Sequence, residues 1–336
     1  MGQVMAPWIA AQLRQLLAQR GHAWLLQGAS GLGQYPLALE LARAWLCDRA
    51  TPEGACGECE SCHAIEVRAH TDLAVLMPEV DMLQLGWPLG EKAQKAIDEK
   101  ERKPSKEIRV DAMRDAVEFA QRTSGRGRGK VVLVYPAERM NTVTANTLLK
   151  TLEEPPGDVR FVLASEASHQ LLPTIRSRCQ SHGMAWPAAA EAEAWLQGQG
   201  VAAAAAPALL RAAGGRPEDA LRLQASGRDP KVWAALPKAV ARGDVAVLGD
   251  WAPADAVEAL QKVCHDTLAV ACGAEPRFFA RADLPAAGSM RALSDWSREL
   301  VQAARTADHP FNAGLMLEAL VSRARAALNS RPQAPS

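Results

Sequence analysis

Short apolar runs alternate with amphipathic segments through the first half of the chain. The apolar runs have the length of buried strands and are flanked by turn residues: Ala23–Gln27, Leu73–Met77, Val131–Tyr135, Arg160–Ala164 and Ser181–Ala185. Between two of them, the segment Val110–Gln121 places Val110, Met113 and Val117 at helical spacing. Alternating strands and helices predict an α/β fold with a mostly parallel sheet between layers of helices.

The pattern changes after Pro187. Strand-like runs stop, and the rest of the chain is rich in Ala and Leu, with turn signals at residues 214–215 and 227–230. This composition predicts an all-helical region in two parts, with a linker near residues 224–231. We therefore expect three domains, an α/β domain over residues 1–186, a small helical domain over 187–227 and a C-terminal helical domain over 228–336.

One interior segment, Glu91–Arg109, is almost without apolar residues. It carries seven basic and five acidic residues. Mixed charges of this kind favour a solvated insertion, part helix and part loop, over a dedicated phosphate-binding arm.

Composition and charge exclude several classes of protein. The 336 residues are 48% hydrophobic and 23% charged, and 38 basic side chains balance 38 acidic ones, so no overall basic field attracts nucleic acid or anionic lipid. No apolar run reaches the roughly 18 residues that span a bilayer, and the N-terminus does not have the pattern of a signal peptide. The chain has seven cysteines, an odd number, and no recognisable export signal. We therefore expect reduced thiols and a cytoplasmic protein that does not contact membranes.

The segment Trp24–Cys47 begins like a nucleotide-binding loop. Gly28, Gly31 and Gly33 follow a strand and precede a helix, in the spacing of a phosphate cradle. The pattern G-x-x-x-x-G-K-[ST] requires Lys and then Ser or Thr, but this chain has Gln34 and Tyr35. The scaffold of the loop is present, and the two side chains that hold phosphate and magnesium are not.

The third strand lacks the other half of an ATPase site. Active P-loop motors follow this strand with an Asp that holds magnesium and often a Glu that activates water, whereas this chain has Tyr135 and Pro136. Four replacements at separated positions predict that the chain alone is not an ATPase, although its backbone N–H groups could still bind phosphate weakly. An active P-loop ATPase with an unusual site remains the alternative.

Four cysteines form the strongest chemical signal in the chain. Cys47, Cys56, Cys59 and Cys62 lie at the end of one helix and in the loop GACGECESC. Four clustered thiolates suit a tetrahedral structural zinc site with no open position for catalysis. The rivals are an iron–sulfur cluster, whose usual motif continues differently after the third cysteine, and free thiols. His63 or His70 could replace one ligand.

The other three cysteines, Cys179, Cys264 and Cys272, lie apart in the sequence. We expect them to be ordinary buried residues.

Two further motifs carry a family resemblance. The segments Ala145–Ser165, with LLKTLEEPP, and Leu172–Cys179, PTIRSRC at its end, are similar to a signature of bacterial clamp loaders. Together with the four-cysteine insert after the loop helix, they resemble the delta-prime family of DNA polymerase III clamp-loader subunits. The resemblance is close over residues 20–185, moderate to about 227, and beyond that rests on size and helical character alone.

The resemblance implies an AAA+-type domain, a small helical lid and a C-terminal helical collar that forms a ring with other subunits. Members of the delta-prime family typically lack ATPase activity and supply an arginine to the neighbouring motor subunit. The matching residue is Arg178, between Ser177 and Cys179, and Arg176 is its nearest rival. The implied partners are the motor subunits and the clamp-opening subunit, contacted through the AAA+ face and the collar, with primed DNA reached through the assembled complex.

Simpler interpretations remain open at each of these motifs. Arg178 could only cap a helix or pair with an acid, and the exposed residues of LLKTLEEPP could serve the fold alone. The basic loop Gly125–Lys130 could contact a phosphate backbone or be basic without function. A zinc-dependent nucleic-acid-binding module is a third hypothesis, which the zero net charge disfavours.

Overall fold

The computed structural model describes residues 5–227, 230–286, 288–307 and 312–330. The chain divides into two compact units, residues 1–187 and residues 188–336. Arg228 and Asp229, in the middle of the predicted linker, lie outside the described residues.

The first unit is built on a five-stranded parallel sheet. Its strands are β1 (Ala23–Gln27), β2 (Leu73–Leu76), β3 (Lys130–Val134), β4 (Val159–Ser165) and β5 (Gln180–Gly183). Their order is β2-β3-β4-β1-β5, so β1 lies inside the sheet between β4 and β5. The predicted parallel α/β architecture is confirmed. β3 is buried along its whole length, which explains why it reads as one continuous apolar run.

Helices pack around this sheet. They are α1 (Pro7–Leu17), α2 (Gln34–Leu46), α3 (Glu60–Glu66), α4 (Glu79–Gln84), α5 (Glu91–Asp98), α6 (Val110–Gln121), α7 (Thr142–Glu153) and α8 (Pro173–Arg176). α7 begins where the Asn141 side chain accepts a hydrogen bond from the Thr144 backbone N–H, and it ends before Pro155 and Pro156. Leu148 and Leu152 of this helix are 1% exposed, as its apolar spacing predicts.

The described residues of the second unit form helices and their connections, without a strand. It contains α9 (Ala189–Gly198), α10 (Ala206–Ala212), α11 (Pro217–Ala225), α12 (Pro230–Arg242), α13 (Pro253–Ala271), α14 (Met290–Thr306) and α15 (Ala313–Leu328). α9, α10 and α11 enclose one core around Leu196, and α12 to α15 enclose a larger one around Leu260. The division of this region at residue 227 stays a prediction.

Two of the three isolated cysteines differ from expectation. Cys264 is buried, as predicted, but Cys272 is exposed and Cys179 is only half-buried. Cys272 follows the last residue of α13, where the helix leaves its packed environment and meets solvent. In the part of the chain that the structure describes, no helix combines the length and apolarity needed to cross a membrane.

Candidate functional site

The glycine-rich loop between β1 and α2 has the backbone shape of a phosphate cradle. Gly31 and Gly33 adopt left-handed conformations, with φ of 75° and 94°, and Gly33 is the residue from which α2 starts. A Cβ atom on Gly28 would lie 2.8 Å from Cβ of Met184. The shape of the loop and its packing therefore require these glycines, whether or not phosphate binds.

Gln34 stands where an active loop carries lysine, and it is turned back into the loop. Its side chain is buried, and Nε2 donates a 2.6 Å hydrogen bond to the carbonyl oxygen of Ala29. A neutral amide that closes its own loop provides no cation for the β- and γ-phosphates of a nucleotide.

Tyr35 and Tyr135 fill the two positions where an active site would hold magnesium. Their rings stack with centroids 5.4 Å apart and an angle of 25° between the planes. Burial raises the pKa of Tyr35, so its phenol stays neutral at physiological pH. The Tyr135 hydroxyl donates to Oε1 of Glu166 at 2.9 Å. An apolar stack thus occupies the place of a metal-binding hydroxyl and carboxylate.

A third aromatic residue completes this cluster. Trp87 is 6% exposed, and its Nε1–H donates to the Tyr35 hydroxyl at 2.7 Å. We call Tyr35, Trp87 and Tyr135 the aromatic cluster. The sequence motifs identify only the two tyrosines. A large aromatic residue in the turn-rich stretch GWPLG, beside a polar insertion, is the sequence signal that could have revealed Trp87.

α8 ends at Arg176, and Arg178 follows it after Ser177. Its Nη1 donates to the carbonyl oxygen of Thr174 at 3.1 Å, and its Nη2 donates to Oε2 of Glu153 at 3.2 Å. The side chain of Arg178 is 31% exposed and that of Glu153 is 60% exposed. In the isolated chain the guanidinium therefore pairs with an acid at the surface, beside the end of α7.

The neighbours of Arg178 have other surroundings. Ser177 donates its hydroxyl to the Thr174 carbonyl at 3.1 Å, and Arg176 is exposed. Burial raises the pKa of Cys179 to about 12, so this thiol is not a nucleophile at neutral pH.

The four clustered cysteines come together as their spacing predicts. The sulfur atoms of Cys47, Cys56, Cys59 and Cys62 all lie within 4.8 Å of one another. Cys47 caps the C-terminus of α2, Cys59 precedes α3, and Gly57 between them has a φ of 77°. Cys47 is thus fixed at the end of α2 and Cys62 lies within the first turn of α3, and the loop between these helices brings Cys56 and Cys59 to them.

Backbone groups already point at these sulfur atoms. The N–H groups of Arg49 and Cys56 lie 3.4 and 3.3 Å from Sγ of Cys47, and the Cys62 N–H lies 3.4 Å from Sγ of Cys59. N–H donors stabilise thiolates, so the donor set and its surroundings fit a four-coordinate divalent metal. His63 is exposed, and His70 instead accepts a hydrogen bond from the Asp72 backbone N–H, which leaves four cysteines as the ligand set.

The basic loop after α6 is folded around a buried acid. Asp72 accepts hydrogen bonds from the backbone N–H groups of Gly125 and Arg126, at 2.8 and 2.9 Å, and lies 3.5 Å from the Lys130 ammonium. Arg126 reaches Glu60 of α3 at 3.4 Å, and Arg128 donates to the carbonyl oxygen of Asp48. Both arginines of the basic loop thus contact residues 47–62, which hold the four cysteines and which we call the cysteine loop. The sequence did not reveal these contacts.

A parallel α/β domain with a phosphate-cradle loop and a four-cysteine cluster, joined to a helical unit, defines a P-loop-type protein in which the usual phosphate and magnesium ligands are replaced. A family model described as DNA polymerase III, delta subunit, matches residues 8–185, and the chain therefore belongs to that family. The match covers more than half of the chain.

Relatives agree with this assignment. The chain is 40% identical to DNA polymerase III subunit delta' of Pseudomonas aeruginosa over 225 residues, which are 66% of this chain and 62% of the relative. It is 34% identical to the same subunit of Escherichia coli over 223 residues, 65% of this chain and 60% of the relative. These matches span about three fifths of each relative's length. The resemblance to delta-prime subunits is confirmed.

A solved structure shows a looser likeness. A DNA polymerase III gamma subunit-related protein of Thermotoga maritima is 17% identical, with a TM-score of 0.46, over 95% of this chain and 99% of that chain.

Proposed function

We propose that this chain is a non-hydrolysing subunit of the DNA polymerase III clamp loader. It supports ATP-dependent loading of the sliding clamp onto primed DNA, and it supplies Arg178 to the ATP site of a neighbouring motor subunit. The observation that carries the proposal is the stack of Tyr35 on Tyr135, at the positions where an active site would bind magnesium.

Retention of the loop without its chemistry has a physical reason. An arginine that acts on a neighbour's nucleotide must be held in a fixed position and orientation. That position depends on docking in the ring with the same domain shape as the other subunits. Gly28, Gly31 and Gly33 preserve that shape, while Gln34 closes the loop on itself. The nucleotide-binding fold serves here as a scaffold.

Arg178 is suited to act in another subunit's site. A guanidinium is permanently charged and can address two phosphate oxygens at once. Its partner Glu153 is 60% exposed, and surface ion pairs contribute about 0–1 kcal/mol, so the pair can be exchanged at little cost. A triphosphate offers more negative charge and several acceptor oxygens in place of one carboxylate.

The proposal also assigns roles to the cysteine cluster and to the helical domains. Cys47, Cys56, Cys59 and Cys62 hold a structural zinc ion, which fixes the loop after α2 to the domain. Residues 187–227 form the lid and residues 228–336 the collar. The motor subunits and the clamp-opening subunit bind through the AAA+ face and the collar, primed DNA is contacted by the assembly, and the protein acts in the cytoplasm.

The test is to replace Arg178 in a reconstituted loader. An arginine finger contributes roughly 10³–10⁵ in rate, so Arg178→Ala should abolish most DNA-stimulated ATP hydrolysis at the site it serves and impair clamp loading, with assembly intact. Arg178→Lys should restore little, because an ammonium is a point charge without the planar fork.

Arg176→Ala is the matched control, since Arg176 is exposed two residues away. Full activity of Arg178→Ala, or equal losses in both variants, would contradict the proposal. Steady ATP turnover by the isolated wild-type chain would favour the alternative of an active P-loop ATPase.

A further inference from the structure

The segment between β2 and α6, residues 78–108, reaches Tyr35 at the start of α2 through Trp87. It contains α4, α5 and the turn that carries Trp87. We call it the covering segment. α5 exposes its charges and buries none of its residues, so the solvated insertion predicted from the sequence describes the outer part of this segment well.

Contacts at its base close the covering segment. Glu79, 6% exposed, accepts hydrogen bonds from Nη2 of Arg102 at 2.7 Å and from the backbone N–H of Ser105 at 2.8 Å. Ile108 is fully buried, and its N–H donates to the carbonyl oxygen of Arg139 at 3.0 Å. The charged stretch is therefore closed on itself by Glu79 and joined to the rest of the domain at Ile108.

Trp87 is held in place from several directions. Gly86, with a φ of 73°, turns the chain after α4, and the Trp87 N–H donates to the carbonyl oxygen of Met82 at 2.8 Å. The guanidinium of Arg68, just beyond α3, lies 4.5 Å from the centre of the indole ring. Together with the hydrogen bond to Tyr35, these contacts join the covering segment, the turn after α3 and α2 at one indole.

We propose that Trp87 excludes nucleotide from the degenerate site, as a barrier separate from the four replaced catalytic side chains. Tyr35 and Tyr135 stand at the sequence positions of the magnesium ligands and stack on each other, and the indole is hydrogen-bonded to Tyr35. Together the three rings fill the place of a metal with bound phosphate. This inference rests on the proposed function, since it explains how the site is kept closed.

Restoring the lost side chains does not by itself remove Trp87. The triple substitution Gln34→Lys, Tyr35→Ser and Tyr135→Asp returns the expected phosphate and magnesium ligands, yet Trp87 keeps its contacts with Met82 and Arg68. We expect this triple variant of the full chain to bind a fluorescent ATP analogue with magnesium at least about tenfold more weakly than the same variant with Trp87→Ala. Titration followed by fluorescence anisotropy measures both affinities.

The control is Leu83→Ala in the triple variant, because Leu83 belongs to the same segment and is 44% exposed. It should leave the affinity unchanged, and thermal unfolding should show that every variant is folded. Equal affinity with and without Trp87, whether both variants bind or neither does, overturns the inference. That result would leave the proposed function standing, which fails only if the unaltered chain hydrolyses ATP or Arg178 has no effect in the loader.

A second measurement uses the otherwise native chain. Trp87→Ala should raise amide hydrogen exchange over residues 28–35 by about tenfold or more, because the loop loses its cover, while exchange in α9 to α11 stays the same. Unchanged exchange over residues 28–35 would show that Trp87 does not cover the loop.

Discussion

At the scale of single residues, the buried side chain of Asp72 holds several groups of the basic loop in place. Its carboxylate is fully buried and gathers two backbone N–H groups, the Ser124 hydroxyl and the Lys130 ammonium. Burial alone would raise the pKa of Asp72, but the N–H groups of Gly125 and Arg126, the Ser124 hydroxyl and the Lys130 charge together outweigh it and lower that pKa. The basic loop takes its form from this acid.

We expect Asp72→Asn to lower the free energy of unfolding by about 3–5 kcal/mol at neutral pH, because it leaves the buried Lys130 without a counter-charge. Since folding lowers the pKa of Asp72, its contribution is present above the unfolded value of about 3.9 and is lost as pH falls through the folded value. Denaturant unfolding between pH 7 and pH 3 measures both effects.

The matched control is Asp111→Asn, whose side chain is 78% exposed and pairs with Arg114 at the surface. It should change the unfolding free energy by less than about 1 kcal/mol. If Asp72→Asn behaves like this control, or its unfolding free energy falls as steeply with acid as that of the wild type, the assigned role of Asp72 is wrong.

At the level of elements, the cysteine loop joins α2 to α3. Arg126 and Arg128 brace this loop from one side, and Arg68, just past α3, contacts Trp87 on the other. A metal bound by the four thiols would therefore stabilise more than its own loop.

We expect one zinc ion per chain by native mass spectrometry, and we expect its removal by a chelator to lower the Tm by several degrees. A loss of about 1 kcal/mol shifts the Tm by about 2–4 °C in a domain of 150–250 residues, so the change is measurable by calorimetry. Hydrogen exchange should rise in α3, because the loop that anchors it to α2 is released.

Cys59→Ser should reproduce the effect of the chelator, whereas Cys179→Ser, outside the cluster, should retain the metal. Bound iron, or an unchanged Tm after complete removal of the metal, would contradict a structural zinc site.

For the whole molecule, charge balance sets the expected behaviour towards DNA. The chain has 38 basic and 38 acidic residues, and Arg126 and Arg128 of the basic loop are already paired within the domain. Affinity for DNA depends on the release of counter-ions by unpaired cations, which a balanced surface provides poorly.

We expect the isolated chain to bind primed DNA no more tightly than about 10⁻⁵ M at ~150 mM salt, with a shallow dependence on salt. Fluorescence anisotropy of a labelled primer–template measures this, and replacing both Arg126 and Arg128 with Ala should leave the weak affinity unchanged. Submicromolar binding that falls steeply with salt would instead support a nucleic-acid-binding module.

The sequence by itself determined the strands, the change to helices after Pro187, the cysteine cluster and the replaced catalytic residues. Each of these follows from local periodicity or from fixed spacing along the chain, because backbone geometry relates such patterns directly to structure. Strand ends moved by one or two residues, and Tyr135 lies just beyond β3.

Only the tertiary structure decided what replaces the lost chemistry. Trp87 meets Tyr35 across 52 residues, Tyr135 meets Glu166 across 31, and Glu153 meets Arg178 across 25. No local pattern specifies such pairs, because they depend on which strand ends the sheet brings together and on how a charged insertion folds back. The same holds for Asp72, a residue without a motif whose importance arises entirely from burial and from the chain that folds around it.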